Sequence, residues 1–288
     1  IVILSYNTLD LVLDAVESVR KQYKKELEEN QIEIIVVDNA SEKDVVDGLE
    51  KGLKGLAGVR LIRSTENLGF GRGCNLGMSH SKGEFILFLN SDTRVSDRGL
   101  LEMVNFLKTN PKVGILGGRL LNSNGSPQSS AGKFYNLLNL ITLLFGGGRM
   151  GLSSSSPNDT TSVDWVSGAC MMVNKEIFNK IGQFDKNIFM YVEDMELCFR
   201  AKKNGYATFY YPKVSISHKE QGSSNREFAV VNIYKGILYF FKKHKTGLEY
   251  QIARFLLWFK ALVVYLLGRL TNNSYYTNTY GQALKIFK

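Results

Sequence analysis

Ile32-Glu33-Ile34-Ile35-Val36-Val37-Asp38-Asn39-Ala40-Ser41 is an apolar run that stops abruptly at a polar cluster. Short apolar runs that end in turn residues are typical of strands buried on both faces of a parallel sheet. Three further runs of this kind are residues 1–6, 59–62 and 85–89. Segments with helical spacing fall between or after them, at residues 11–19, 41–53, 73–79 and 97–107. This alternation predicts an α/β fold with a layered sheet and right-handed crossovers.

The composition is that of a folded globular protein with a full core. The chain has 288 residues, of which 44% are hydrophobic and 22% are charged, so one large domain or one domain with an appendage is expected. Cys74, Cys170 and Cys198 are far apart, which favours a reducing cytosol and offers zinc no cluster. The chain starts without Met inside a predicted strand, so we expect native residues before Ile1, and no secretion signal pattern is present.

Charge is concentrated at the C-terminal end. Residues 226–288 contain ten Lys or Arg against two acids, which accounts for +8 of the chain's net charge of +9. Two helices are predicted there, at residues 229–244 and 251–270. The apolar run 255–268 has 14 residues, too few to span a bilayer, so it predicts either a helix in the membrane interface or a core helix. By charge alone, the partner of this region is an anionic membrane or a nucleic acid.

The middle of the chain changes character. Residues 122–133 and 146–161 are rich in Gly, Ser and Asn and predict loops. A strand is predicted at 167–173, a helix at 175–181, and a further strand at 207–211.

Several polar groups follow predicted strands, where open α/β sheets bind ligands. Asp38 could accept hydrogen bonds from a base or a ribose, or it could cap the next helix. Asp92, in Asn90-Ser91-Asp92, could hold a hard divalent cation together with a diphosphate. His218 could be a second ligand of that cation or a structural histidine.

The glycine-rich run at 67–77 leads into a helix, and its N–H groups could bind phosphate. Cys74 replaces the last glycine of the dinucleotide-binding fingerprint, and the run follows the third strand rather than the first, so we reject that function. Close packing of the turn remains the alternative.

Glu193 and Asp194 lie at the start of a predicted helix between two apolar stretches. Acids at a helix N-terminus stabilise it electrostatically, which is one interpretation. The other is a general base in a closed site. We expect Glu193 and Glu196 to raise the pKa of Asp194 by like-charge repulsion.

Taken in order, these segments resemble the inverting family 2 glycosyltransferases of the GT-A fold, and most closely the rhamnosyltransferase-like branch that builds bacterial surface polysaccharides. The likeness covers residues 1–220. It rests on the segments 1–7, 36–41, 67–77, 88–92, 165–173, 182–185 and 193–194, and on His218. The implied fold is a Rossmann-like mixed sheet flanked by helices, with residues 1–225 as the catalytic domain and 226–288 as a basic, aromatic helical extension.

The resemblance also implies roles. Asp194 matches the catalytic base, with Glu193 beside it, and Asp92 and His218 would hold Mg²⁺ or Mn²⁺. Asn90 stands where the family usually has the first Asp of its DxD motif. The sugar nucleotide would lie near Tyr6, Asn7, Asp38, Arg72, Asn75, Asn90 and Ser91. The sugar and acceptor would be bordered by Trp165, Ser167 and Gly168.

The expected function is metal-dependent transfer of a sugar with inversion, with dTDP-rhamnose as the expected donor. The acceptor would be a hydroxyl of a cell-surface glycan or its polyprenyl-linked precursor, at the cytoplasmic face of the membrane. A UDP-sugar donor (galactose, galactofuranose, glucose or N-acetylhexosamine) is the alternative with the same fold. The alternative from another class is a non-catalytic nucleotide- or polyanion-binding module. We expect no nucleic-acid partner, and a homo-oligomer is left open.

Overall fold

The computed structural model describes residues 1–144, 154–219 and 225–288. The strands are β1 (Val2–Ser5), β2 (Ile34–Asp38), β3 (Val59–Arg63), β4 (Phe85–Asn90), β5 (Thr93–Val95), β6 (Val113–Leu121), β7 (Pro127–Gln128), β8 (Ala131–Gly132), β9 (Ser154–Ser155), β10 (Thr161–Val163), β11 (Trp165–Val166), β12 (Cys170–Asn174) and β13 (Ala207–His218). The helices are α1 (Leu9–Glu28), α2 (Lys43–Leu53), α3 (Gly69–Ser79), α4 (Leu100–Thr109), α5 (Leu137–Leu144), α6 (Lys175–Lys180), α7 (Glu193–Lys203), α8 (Arg226–His244), α9 (Gly247–Leu270) and α10 (Ser274–Lys285).

A mixed sheet forms the centre of the molecule. Its main path runs β10-β13-β6-β12-β4-β1-β2-β3, with β5 beside β13 and β7 beside β6. The four strands predicted from the first apolar runs, β1 to β4, are mutually parallel, and β12 runs antiparallel between β4 and β6. A small antiparallel sheet, β11-β8-β9, lies apart from this path. The predicted α/β class is confirmed, and the mixed character of the sheet comes from β12 and from the short antiparallel strands β5, β7 and β10.

Strand register brings the predicted polar clusters to one edge. Ser5 at the end of β1 pairs with Asp38 at the end of β2, and Leu4 pairs with Asn90 at the end of β4. Because these strands are parallel, their carboxyl ends open into the same space.

Alternation along β2 shows how the sheet is covered on both faces. Ile34 and Val36 belong to one buried cluster, with residues of α1 and α4, whereas Ile35 and Val37 belong to the other, with residues of α3, α7 and α8. A strand whose successive side chains both enter a core must be apolar throughout. This explains why the sequence of β2 is an unbroken run of apolar residues.

The C-terminal helices belong to the buried cluster that contains Ile35 and Val37. Phe240 and Phe241 of α8 and Leu257 of α9 are fully buried in it. Helix α9 has 24 residues, four more at its N-terminal end than the predicted helix 251–270, and it extends beyond the apolar run 255–268 on both sides. The helix is long and apolar enough to cross a membrane by length and composition, although one of its faces packs on the domain.

The middle region departs most from expectation. The stretch 122–133, predicted as a loop, contains β7 and β8. Part of the predicted loop 146–161 forms β9 and the start of β10, and residues 146–153 lie outside the described residues. Strand β6 and helices α5 and α10 were not predicted.

Candidate active site

A cleft of about 610 Å³ opens at the carboxyl ends of the parallel strands. Ten of the predicted site residues line it: Tyr6, Asn90, Ser91, Asp92, Trp165, Ser167, Gly168, Glu193, Asp194 and His218. The sheet thus brings together residues that are more than 200 positions apart in the chain.

Asp38 lies at the end of β2 and is 1% exposed. Its Oδ2 atom accepts a weak hydrogen bond of 3.4 Å from the N–H of Ser41, and its Oδ1 atom has no hydrogen-bond partner among the described residues. Helix α2 has Glu42 as its N-cap, so the interpretation of Asp38 as a helix cap is wrong. A buried carboxylate oxygen without a donor is costly unless a ligand supplies one.

Asp92 and His218 face each other across the cleft floor. Asp92 Oδ1 lies 3.3 Å from His218 Nε2 and has no aligned hydrogen bond among the described residues. On the other side of the ring, Gln128 Oε1 lies 2.6 Å from His218 Nδ1. Because an amide oxygen can only accept, Nδ1 carries a proton, and Nε2 faces both Asp92 Oδ1 and the Asn90 amide, which is 3.4 Å away. Two acceptors this close require a proton or a cation between them.

A strained turn carries the acid pair into the cleft. Tyr191 and Val192 have φ of 65° and 73°, in the left-handed region that a β-branched residue such as Val rarely adopts. Helix α7 begins directly after them with Glu193 and Asp194. Asp194 is half-buried, and its Oδ2 atom accepts a hydrogen bond of 3.1 Å from the N–H of Gly168.

Both carboxyl groups of the pair are harder to ionise than usual. Burial raises the pKa of Glu193 well above its ordinary value, and the charge of Asp194 adds to the effect. Burial also raises the pKa of Asp194, against the N–H groups of Gly168 and Met195 that donate to it. The expected direction is therefore right for Asp194, but its cause is burial, since Glu196 is neutralised by cations of its own.

Glu196 is the centre of a buried ion network between α7 and α8. Its carboxylate pairs with Arg200 at 2.7 Å, Lys243 at 2.8 Å and His244 at 2.9 Å. Lys243 also pairs with Asp185 in the loop before α7. These hydrogen bonds and charges lower the pKa of Glu196 and of Asp185 to about 2, despite burial.

Four residues predicted near the sugar nucleotide do not line the cleft: Asp38, described above, and Asn75, Arg72 and Asn7. The side chain of Asn75 bonds both ways to the backbone of Phe184, at 2.9 and 3.1 Å. Arg72 pairs with Glu66 at 3.0 Å in an exposed position. Asn7 accepts a hydrogen bond of 2.8 Å from the N–H of Glu42.

The glycine-rich run packs closely, which supports its structural interpretation. A Cβ atom on Gly77 would lie 2.5 Å from Val2 and 2.8 Å from Val37, so glycine lets α3 lie directly on β1 and β2. Phe70 of the same run contacts Gly168, which brings α3 next to the Asp194 site.

The chain matches a known family over most of its length. The model of the family described as glycosyl transferase family 2 matches residues 1–182, which is more than half of the chain. The chain belongs to this family.

Relatives and solved structures agree with that assignment. The glycosyltransferase is 27% identical over 225 residues to N-acetylglucosaminyl-diphospho-decaprenol L-rhamnosyltransferase of Mycobacterium tuberculosis, a match that covers 69% of this chain and 70% of the relative. It shares its fold with a mannosyltransferase from Pyrobaculum calidifontis solved with GDP-Man and Mn²⁺, at a TM-score of 0.58, 16% identity and coverage of 99% and 84%. A structure of GalNAc-T7 with UDP, GalNAc and Mn²⁺ has a TM-score of 0.60, 16% identity and coverage of 82% and 46%. The fold is GT-A, as the resemblance implied.

Three residues in the cleft or next to it were not singled out by the sequence of the glycosyltransferase. Gln128 lies in the stretch predicted as a loop, and its contact with His218 joins positions 90 apart. Tyr135 precedes α5, and Arg226 begins α8; both line the cleft. Only the clustering of cations in the tail hinted at Arg226, and nothing in the local sequence pointed to Gln128.

Proposed function

We propose that this family 2 glycosyltransferase transfers a sugar from a nucleotide-sugar to a hydroxyl acceptor with inversion, and that Asp194 is its base. The observation that supports this most is that Asp194 opens into the same cleft as Asp92 and His218, with its Oδ2 atom oriented by Gly168. Inversion in a single displacement requires a base for the acceptor hydroxyl and a site for the leaving diphosphate in the same cleft, and this cleft offers a candidate for each.

Asp194 is suited to take the proton of an acceptor hydroxyl. A general base works best when its pKa is close to the working pH, and burial moves the pKa of Asp194 upward. The hydrogen bond from Gly168 fixes one oxygen and leaves Oδ1 to meet the acceptor, apart from its contact with the N–H of Met195. Glu193 is buried beside it, and we propose that it tunes Asp194 rather than reacting.

Asp92 and His218 fit a divalent cation shared with a diphosphate. Their facing acceptors, 3.3 Å apart, favour a cation between them, and the hydrogen bond from Nδ1 to Gln128 orients the ring as in most metal-binding histidines. Among the described residues no group of three or more His, Cys, Asp or Glu side chains could hold a metal, so the remaining ligands would come from the substrate. When bound, Mg²⁺ or Mn²⁺ would stabilise negative charge on the leaving diphosphate.

Asp38 is proposed to bind the nucleotide. Its buried Oδ1 atom needs a donor, and the N–H of a base or a ribose hydroxyl would supply one. Tyr6, which is 46% exposed at the cleft, is proposed to contact the same nucleotide. Trp165, Ser167 and Gly168, which also line the cleft, would border the sugar and the acceptor.

The proposed donor is dTDP-rhamnose, because the Mycobacterium tuberculosis relative is named as an L-rhamnosyltransferase. The same name supports a polyprenyl-linked glycan as the acceptor and therefore a reaction at the cytoplasmic face of a membrane. A UDP-sugar donor is the second candidate, since the GalNAc-T7 structure of the same fold was solved with UDP. Nucleotide release measured across dTDP-rhamnose, UDP-galactose, UDP-glucose and UDP-N-acetylhexosamines separates the two. Preference for a UDP-sugar would overturn the rhamnose proposal.

The test of the base is Asp194→Asn, which keeps the shape of the side chain, removes its basicity and keeps one of the two accepted hydrogen bonds. We expect sugar transfer to fall by about 10²–10⁴-fold, with donor affinity by calorimetry nearly unchanged. Asp92→Ala is the complementary variant and should abolish metal-stimulated donor binding. Near-normal transfer by a folded Asp194→Asn protein would refute the base, and unchanged calorimetric titrations of Asp92→Ala with donor and Mn²⁺ would refute the metal ligand.

A further inference from the structure

Helix α9 is apolar on two opposite faces. One face, formed by Ala253, Leu257 and Ala261, is fully buried against the domain. The other face is exposed: Leu248 is 72% exposed, Phe255 is 59% exposed and Leu270 is 81% exposed. A helix on the surface of a soluble protein normally turns charged and polar residues toward the solvent, so the exposed apolar face requires an explanation.

The exposed side chains form one continuous stripe. They follow one another at steps of three or four residues along the whole helix: Leu248, Ile252, Phe255, Phe259, Val263, Leu266 and Leu270. Steps of three and four keep side chains on one face, and a helix of 24 residues is about 36 Å long. We call this set the α9 stripe. A contiguous apolar surface of this length marks an interaction site.

Helix α5 adds to the exposed apolar surface next to α9. Lys260 donates a hydrogen bond to the carbonyl of Leu144 and so ties α9 to the end of α5. Leu138 and Ile141 of α5 are 70% and 40% exposed. Two packed helices thus both present apolar side chains outward.

The charges of this region favour an anionic surface over a second copy of the chain. Residues 226–288 hold ten Lys or Arg and two acids, and the acid of α9, Glu249, is used in the capping box with Thr246. Two copies paired along α9 would bring like charges together without acidic partners for them. An anionic lipid surface attracts such charges, and Phe255, Trp258 and Phe259 are residues that suit the headgroup region.

We propose that the α9 stripe lies in the interface of an anionic membrane, with α9 parallel to the bilayer. The buried opposite face argues for this orientation, because a helix that crossed the membrane would have to leave the core.

The same docking would set the cleft close to the bilayer. Leu143 of α5 and Ala229 and Ile233 of α8 line the cleft, and both helices pack against α9. Part of the cleft wall is therefore built on helices that pack against α9. This orientation rests on the proposed lipid-linked acceptor, whereas membrane binding itself does not.

The test is flotation of the full chain with vesicles of phosphatidylglycerol and phosphatidylcholine in equal parts, without donor or metal. Leu266 and Leu267 are a matched pair: each is 49% exposed, but they point about 100° apart around the helix, so only Leu266 is in the α9 stripe. Gln has nearly the helix propensity of Leu. We expect Leu266→Gln to weaken partitioning into vesicles about tenfold. The double change Phe255→Gln with Phe259→Gln should weaken partitioning further. The control, Leu267→Gln, should change partitioning about twofold at most.

The outcomes separate the alternatives. Vesicles of phosphatidylcholine alone and added salt should both weaken binding. Absence of flotation by the unaltered chain, or equal losses in the two leucine variants, would overturn the proposal. A dimer in sedimentation without vesicles that Leu266→Gln dissociates would overturn it in favour of a second copy. Because no donor is present, each result is independent of the proposed reaction, which nucleotide release tests separately.

Discussion

Gly236 of α8 lies directly against Val192, the strained residue that precedes the acid pair. A Cβ atom on Gly236 would lie 2.8 Å from Val192 Cγ2 and 3.0 Å from the carbonyl oxygen of Tyr191. Both contacts are too close for an unshifted structure. The C-terminal helices therefore reach the turn that sets the position of Asp194, and activity should depend on residues far from the chemistry.

Gly236→Ala should separate stability from activity. Helix propensity favours Ala by about 1 kcal/mol, but the added Cβ must push the Tyr191–Val192 turn. Since a misplacement of about 1 Å can cost about 10²-fold, we expect kcat to fall about 10–100-fold while α8 remains folded. Gly247→Ala, whose Cβ would meet nothing within 4 Å, is the control and should retain normal kcat. Normal turnover by Gly236→Ala would contradict the positioning role of this contact.

Lys243→Met should destabilise the protein at neutral pH. Lys243 is shared by Asp185 and Glu196, and Glu196 has a fully buried side chain. Loss of a cation beside buried carboxylates costs about 2–3 kcal/mol, with Arg200 and His244 still present. Urea unfolding measures the change, and Lys242→Met at the exposed neighbouring position is the control.

The same ion network should make the stability of the protein depend on pH in the acidic range. The pKa of Asp185 and of Glu196 is lowered to about 2 in the folded state, from 3.8 and 4.5. Carboxylates with lowered pKa contribute stability that is present above the ordinary values and is lost as pH falls toward 2. The difference between the unaltered chain and Lys243→Met should therefore shrink from pH 5 to about pH 2. A difference that is constant over this range would show that the ion network is not its source.

Glu193→Gln should stabilise the fold, and more so at higher pH. Burial raises the pKa of Glu193, so its contribution to stability is full below 4.5 and is lost as pH rises through the raised value. The amide carries no charge and avoids this loss. We expect the melting temperature of Glu193→Gln to exceed that of the unaltered chain at pH 8 by more than at pH 4. Glu28→Gln, at an exposed helix position, should show no such trend, and a parallel shift at both pH values would contradict a buried, protonated Glu193.

The four parallel strands could be predicted because each is a local apolar run with polar residues at its carboxyl end. Topology then brings Tyr6, Asn90 and Asp92 together without further information. Strand β6 escaped notice because Gly114, Gly117 and Gly118 interrupt its pattern. A Cβ atom on Gly117 would lie less than 3 Å from the side chain of Val166. Glycine is therefore required at position 117 by a residue that is distant in the sequence.

Long-range contacts explain the rest of what the sequence did not reveal. The tail was predicted as helical from its spacing, but its ion pairs join Lys243 to residues 47 and 58 positions away. The interpretation of Asp38 as a helix cap failed because Glu42, four residues later, takes the N-cap position of α2. Which residue becomes the N-cap depends on where the backbone enters the helix and not on residue type alone.

Gln128 offers the sharpest test of the proposed metal site, because it touches the site only through His218. Its Oε1 atom lies 2.6 Å from Nδ1 and accepts the hydrogen bond that orients the ring, and a partner that holds a metal-binding histidine in this way is worth about 10–100-fold in metal affinity. Gln128→Met should weaken Mn²⁺ binding in the presence of donor by that factor, measured by calorimetry, while kcat at saturating Mn²⁺ stays near normal. Gln31→Met, at an exposed turn, is the control. Unchanged Mn²⁺ affinity in Gln128→Met would show that the orientation of His218 does not matter to the cation and would remove His218 from the proposed ligands.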